Sequence, residues 1–206
     1  MPVYDRHKLL FHHVPKTGGR AVDRWLGGAD ANLGHVAVWI AIQELQMRAY
    51  SAGEGYRLTF PSFTIVRDPV DRIRSGWMHH KREERNTLKD WPHLFDCSFE
   101  EAVLHDDFIN LLKDGMRSVH FYPLSWMFSK KGGSLFLPHL SLDFGNLERD
   151  ASLLAEQFSL DVEPFIFSAT QYEKRPLSPR AMEKFRWLYR SDYDIIPHLN
   201  ARKIWK

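Results

Sequence analysis

Two adjacent glycines directly after a lysine and a threonine, in Phe11-His12-His13-Val14-Pro15-Lys16-Thr17-Gly18-Gly19-Arg20, constrain this chain more than any other stretch. Before them, Lys8 to Val14 is short, mostly apolar and rich in β-formers, which predicts a buried strand. After them, Ala21-Val22-Asp23-Arg24-Trp25-Leu26 begins a helical pattern. A strand that turns into a helix through two glycines brings backbone N–H groups close to whatever sits above the joint. The helix N-terminus adds partial positive charge, and Lys16 adds a full one. Such a joint suits a phosphate or a sulfate.

Composition limits what surrounds that joint. With 206 residues the chain is long enough for one well-packed domain and short for two catalytic ones, so residues 1–206 are read as a single domain. A formal net charge of +2 argues against a broad nucleic-acid-binding surface while leaving room for a local basic pocket. Cys97 is the single cysteine and has no partner for an internal disulfide. The N-terminus carries no apolar run of the length a signal peptide or membrane span needs, and the expectation is a cytoplasmic protein with no membrane span.

Along the chain, residues 27–34 read as a loop with His35 at its exit, and Val36 to Tyr50 as a helix. Phe60 to Val66 reads as a second strand ending at Arg67. Asp68-Pro69 then opens a helix running to about Arg85, with Asp68 as cap and proline at the first helical position. Its core stripe is Val70, Ile73 and Trp77, and Asp68, Arg72 and Ser75 share a face away from the core. Ser98 and Glu101 form a capping box for a helix from Phe99 to Leu112. The aromatic segment from His120 to Phe128, broken by Pro123, suits either a buried lid or the lining of an apolar or sugar-stacking pocket. Leu140 to Phe144 alternates like a strand, Asn146 caps a helix striped by Leu147, Ala151, Leu154 and Phe158, and Ser178-Pro179 opens another through Tyr189. Strands alternating with helices predict an α/β, three-layer, P-loop-like fold: a central, mainly parallel sheet flanked by helices. Ligands of such sheets bind at the carboxyl ends of the strands, where Lys16 and Arg67 would converge.

The loop is not an ordinary nucleotide P-loop, because its lysine and threonine precede the glycines instead of following them. Val14-Pro15-Lys16-Thr17-Gly18-Gly19, followed by Phe63 to Val66, Arg67-Asp68-Pro69 and Ser75, resembles the sulfotransferase superfamily. The likeness is to the branch that includes bacterial and carbohydrate sulfotransferases, and looser matches continue nearly to the end of the chain. The resemblance implies a donor, 3′-phosphoadenosine 5′-phosphosulfate (PAPS), and a small-molecule or carbohydrate acceptor, with no metal. It implies that Lys16, Thr17, Gly18, Gly19 and Arg20 hold the 5′-phosphosulfate and that Arg67 and Ser75 hold the 3′-phosphate. Arg20 stands where a small hydroxyl residue is more usual.

The resemblance also places His35 where a general base acts, Lys16 where it steadies the leaving oxygen, and Phe144 near the adenine. A neutral imidazole with a pKa near ~6.5 can accept a hydroxyl proton at physiological pH, although loop histidines also serve as caps or solvated groups. Phe144 at a strand end suits the core equally well. Lys174 and Arg175 read as a solvated charged run, and the pairs His12-His13 and His79-His80 lack the spacing of a metal site. Two other readings stand beside the sulfotransferase one. One is a non-catalytic nucleotide-binding protein on the same fold, and the other is a P-loop-type small-molecule kinase, which the reversed loop order disfavours.

Overall fold

The computed structural model describes residues 1–32, 59–82, 90–113, 119–129, 135–168 and 174–204. His35 and the helix expected over Val36 to Tyr50 lie outside them. In chain order the elements are β1 (Pro2–Tyr4), β2 (Leu9–His12), α1 (Gly19–Trp25), β3 (Ala31–Asn32), β4 (Ser62–Val66), α2 (Pro69–Arg82) and α3 (His93–Asp96). There follow α4 (Phe99–Leu104), α5 (Asp107–Lys113), α6 (Leu124–Met127), β5 (Leu140–Asp143), α7 (Leu147–Gln157), α8 (Pro179–Leu188) and α9 (Arg190–Asn200).

The sheet order is β3-β1-β2-β4-β5. Its functional half, β2, β4 and β5, is parallel, in the register Leu10↔Ser62 and Phe63↔Leu140. The α/β architecture expected from the sequence is therefore present. The antiparallel edge made by β1 and β3 is an addition that strands of three and two residues are too short to announce. Parallel register brings the carboxyl ends of β2, β4 and β5 to one side, so that the loop after His12, Arg67 after Val66 and Phe144 after Asp143 leave the sheet together.

Alternation along the strands divides the sheet into two unlike faces. Phe11, Phe63, Ile65 and Leu142 point to one side and pack with Val22 and Leu26 of α1 and Leu147, Ala151 and Leu154 of α7. On the other side the buried residues are polar: His12, Ser62, Thr64 and Ser141. The hydroxyl groups there all find partners, since Thr64 donates to the His12 carbonyl at 2.8 Å, Ser141 donates to the Leu199 carbonyl at 2.6 Å, and Ser62 lies 2.9 Å from His139 Nδ1. That pairing removes the penalty for burying them. The His12 ring is different, for neither nitrogen has a hydrogen-bond partner and the ring stacks on Phe136 and Phe128 instead. Past β5, residues after α9 run along the sheet edge, with the Ser141 N–H donating to the Arg202 carbonyl and the Ile204 N–H to the Ser141 carbonyl. An otherwise open edge is covered in this way.

Helix α2 starts as its sequence demands. The Asp68 carboxylate accepts the Asp71 N–H at 2.9 Å, and Val70, Ile73 and Trp77 are buried. Its far face departs from expectation, because Arg72, placed by spacing on the side away from the core, is 1% exposed. It donates to Asp192 Oδ2 at 3.0 Å and to the Tyr122 carbonyl at 2.8 Å, while Asp192 Oδ1 accepts the Leu124 N–H at 2.6 Å. The segment leading into α6 and helix α9 cover this face through those contacts, while α3 to α5 with α8 pack against Val70, Ile73 and Trp77, so the helix is buried on two sides. Burial is the largest influence on the Asp192 carboxyl and pushes its pKa up, against the pull of Arg72 and the Leu124 N–H.

Other local expectations divide. The Ser98–Glu101 capping box is present in both directions, at 3.2 and 2.7 Å. The single helix expected from Phe99 to Leu112 is instead two, α4 and α5, because the chain turns extended at His105. Asn146 precedes α7 without capping it, and its side-chain amide donates to Asp143, whose carboxylate also accepts the Gly145 N–H. Ser178 and Pro179 start α8 as expected, and α9 then follows after one residue. In the aromatic segment Phe121, Leu124, Met127 and Phe128 are all buried, so most of it is core. No described helix is long and apolar enough to cross a membrane.

Two measurements check this account. Asp192→Ala strands the Arg72 guanidinium in the core and should lower the unfolding free energy by about 3–5 kcal/mol in urea titrations, whereas replacing both partners with apolar residues should recover most of that. Burial drives the His12 pKa from 6.5 down to about 3. The unfolded chain therefore binds a proton that the folded one refuses, and His12's share of stability is complete above pH 6.5 and lost as pH falls toward 3. Relative to His12→Phe, the wild type should lose up to about 1.4 kcal/mol per pH unit below that point, and a pH-independent difference would contradict the assignment.

Candidate functional site

At the carboxyl ends of the parallel strands lies a cleft of about 580 Å³. Lys16, Gly18, Gly19, Arg20, Arg67, Ser75 and Phe144, singled out from the sequence, all line it. Two halves of the sequence, one from the loop after β2 and the other from the junction of β4 with α2, thus meet around one space. Of the remaining sequence candidates, Thr17 is buried behind the loop, and His35 lies outside the described residues.

The loop's shape is demanding. Lys16 adopts a left-handed backbone with φ 67°, as does Gly18 with φ 87°. That conformation is cheap for glycine and unusual for lysine, and such departures concentrate where a loop has a job besides connection. Two internal contacts hold it. Thr17 donates its hydroxyl hydrogen to the Val14 carbonyl at 2.7 Å, and Arg67 Nη1 donates to the Lys16 carbonyl at 2.7 Å. The Thr17 hydroxyl is therefore a brace for the turn, and its proton is already committed. At Gly19 a Cβ would lie 1.8 Å from His13 Nε2, so any larger residue needs the His13 ring to move. Above Gly19, α1 begins, and its first N–H groups have no intrahelical acceptors.

Arg67 is held from two directions. Its guanidinium lies over the Phe144 ring, 4.2 Å from the centroid, while Nη1 reaches back to the loop. Phe144 itself is half-buried and takes the edge of Phe167 at 5.3 Å, so the strand-end aromatic faces the cleft as well as the core. Part of the arginine's donor fork is thus spent on the loop, while the side chain borders the cleft. Asp71 and Arg74 of α2 pair with the segment entering α8: Lys174 forms an ion pair with Asp71, and Arg74 donates to the Arg175 carbonyl at 2.6 Å. Lys174 and Arg175 thereby cover α2 and do not line the cleft.

Charge is the cleft's chief property. Its described lining contains Lys16, Arg20, Arg24 and Arg67, three histidines, His13, His79 and His120, and no carboxylate. Arg24 was missed in the sequence, although its spacing of four from Arg20 puts both on one face of α1. His79 carries the same signal, four residues past Ser75. His120 comes from a segment distant in sequence and reaches α2 because Gly76 leaves room, a Cβ there falling 3.2 Å from the His120 carbonyl oxygen. His80 Nε2 lies 2.9 Å from His120 Nδ1 and fixes the orientation of that ring. Four cations in a lining whose described residues include no carboxylate suit a ligand carrying several negative charges.

Comparison with known proteins agrees with the geometry. A family model described as "Sulfotransferase family" matches residues 1–195. No curated protein and no solved structure matches.

The close contact at Gly19 is open to direct test. Gly19→Ala should destabilise the fold by about 1–3 kcal/mol through overpacking against His13. Adding His13→Ala should relieve most of that loss, and a thermal-melting double-mutant cycle with no coupling would show that the two residues do not touch.

Proposed function

The chain belongs to the sulfotransferase family, and we propose that it moves a sulfuryl group from PAPS to a hydroxyl of a small-molecule or carbohydrate acceptor. The observation that carries the donor is the cationic cleft, where the loop holding Lys16 and the Arg67–Ser75 junction open on one volume free of described carboxylates. In this reading the backbone of Gly18 and Gly19 with Lys16 and Arg20 holds the 5′-phosphosulfate. Arg67 and Ser75 hold the 3′-phosphate, and Phe144, already stacked on Arg67, borders the adenine. Two anionic groups on the 3′ and 5′ sides of one ribose require two binding points, and the loop after β2 and the β4–α2 junction offer two.

The chemistry follows from charge. The acceptor oxygen attacks sulfur as the bond from sulfur to the bridging phosphate oxygen breaks, and the sulfuryl group passes in line between the two oxygens. Lys16 neutralises the negative charge that grows on the departing phosphate oxygen, which lowers the barrier only if the ammonium is already in place. The acceptor's proton goes to a base, assigned to His35 on its place in the sequence. The product left in the cleft is 3′-phosphoadenosine 5′-phosphate.

Calorimetry with that product against ATP tests the donor assignment. The product should bind at least about tenfold more tightly than ATP, and Lys16→Ala and Arg67→Ala should each weaken it by a similar factor. Equal affinity for ATP would overturn the assignment. With labelled donor and a panel of hydroxyl acceptors, His35→Ala should abolish turnover while donor affinity is retained, and full turnover would remove His35 from the mechanism.

A further inference from the structure

Away from the cleft, His93, His105 and Asp107 bring three metal-ligating atoms within 4.8 Å of one another. They come from three places: the first residue of α3, the turn that ends α4, and the first residue of α5. His93 Nε2 lies 3.0 Å from Asp107 Oδ2, and His105 Nδ1 lies 3.6 Å from the same oxygen. A tetrahedral zinc with bonds of about 2.0–2.1 Å spaces its ligands about 3.3 Å apart. The two measured edges bracket that value.

The groups are also held in place. Leu94 and Phe108, the residues following His93 and Asp107, are fully buried and anchor both side chains to the core. The turn carrying His105 is clamped from α8, where Lys184 donates to the carbonyls of Leu104 and His105 at 2.9 and 3.0 Å. Asn110 donates to Asp107 Oδ1 at 3.1 Å, which turns Oδ2 toward the two imidazoles. Outer groups orient metal-binding carboxylates in this manner. Two described contacts compete, the hydrogen bond between His93 Nε2 and Asp107 Oδ2 at 3.0 Å and the Asp107 N–H donating to His105 Nδ1 at 3.2 Å, and a metal would displace both.

We propose that His93, His105 and Asp107 form a surface site for a borderline divalent cation such as Zn²⁺, tying α3 to the α4–α5 turn. Two neutral imidazoles and one carboxylate suit zinc, cobalt, nickel or copper. Magnesium and calcium prefer six or more oxygens, which the site does not offer. Three protein ligands and partial exposure, between 35% and 48% for the three side chains, leave a fourth position open to solvent. None of the three residues lines the cationic cleft, so the site is separate from sulfuryl transfer and does not depend on the donor assignment.

Titration of the full chain with zinc chloride, followed by calorimetry, tests this. The wild type should show one site tighter than the background of its other histidines, and His93→Gln and Asp107→Asn should each weaken that site by about tenfold or more. His79→Gln should leave it intact. Cobalt(II) should give the intense visible absorption of a tetrahedral centre in the wild type and lose it in Asp107→Asn. Because the substituted side chains are partly exposed, metal-free melting temperatures should stay close to the wild type and show that the variants fold. Zinc binding unchanged in both variants, or no site above background in the wild type, would overturn the proposal.

Discussion

One hydrogen bond, from Arg67 Nη1 to the Lys16 carbonyl at 2.7 Å, joins the two halves of the cleft. It is possible because β2 and β4 are adjacent, parallel and in register, so the residues that follow them leave the sheet side by side. Lys16 needs that support, since its left-handed backbone is uncommon for a residue with a Cβ and the turn must be held by its surroundings. Arg67 in turn is fixed by the Phe144 ring from the end of β5. Three strand ends therefore position one guanidinium, and the guanidinium positions the loop. The arrangement is preorganised before any ligand arrives, which is what electrostatic stabilisation of a short-lived charge requires.

The rest of the molecule is built to keep those strand ends fixed. One face of the sheet is an ordinary apolar layer against α1 and α7. The other buries hydroxyls tied to specific carbonyls, a histidine ring and, one layer out, the Arg72–Asp192 pair, in which Arg72 Nη2 takes two acceptors. An apolar interface tolerates sliding, whereas a satisfied polar one fixes which residues meet, because any displacement leaves buried groups unpaired. The pair links α2, which begins at Arg67's exit from the sheet, to α9 and to the Leu124 N–H. It thereby sets the direction in which Ser75 and His79 project. The helix that carries half of the cleft is held by charge on one side and by Val70, Ile73 and Trp77 on the other.

What was legible in the sequence was local and strongly patterned. The double glycine, the Asp68-Pro69 start, the capping box at Ser98 and the Ser178-Pro179 start each encode geometry within four residues, and each is found. The convergence of Lys16 with Arg67 followed from strand-helix alternation alone. What failed to show depended on partners far along the chain. Arg72 looks solvated on a helical wheel because the residue that neutralises it is 120 positions away. The segment beginning at His120 reads equally as lid or pocket lining, and the place of His120 at the cleft depends on the missing side chain of Gly76. Asn146 leaves α7 uncapped because a 3-10 turn, capped by Asp143 at the strand's end, precedes the helix and takes the Asn146 amide. The break at His105 is a tertiary effect too, for Lys184 of α8 takes the carbonyls of Leu104 and His105.

A cleft lined by Lys16, Arg20, Arg24 and Arg67 with no described carboxylate is unfavourable for the ligand-free protein. Like charges raise the energy of the compact state, and the chain as a whole is nearly neutral, so the imbalance is local by arrangement and not a consequence of composition. The fold limits the penalty by leaving Arg20 and Arg24 exposed, where water screens them, and by placing Arg67 on an aromatic face and against a carbonyl. In the proposed reading, a ligand with an anionic group at each end brings negative charge to both binding points. One with a single anionic end leaves part of the repulsion in place. Discrimination by charge distribution thus arises from the same imbalance that the apo fold tolerates, and does not require a contact to every atom of the ligand.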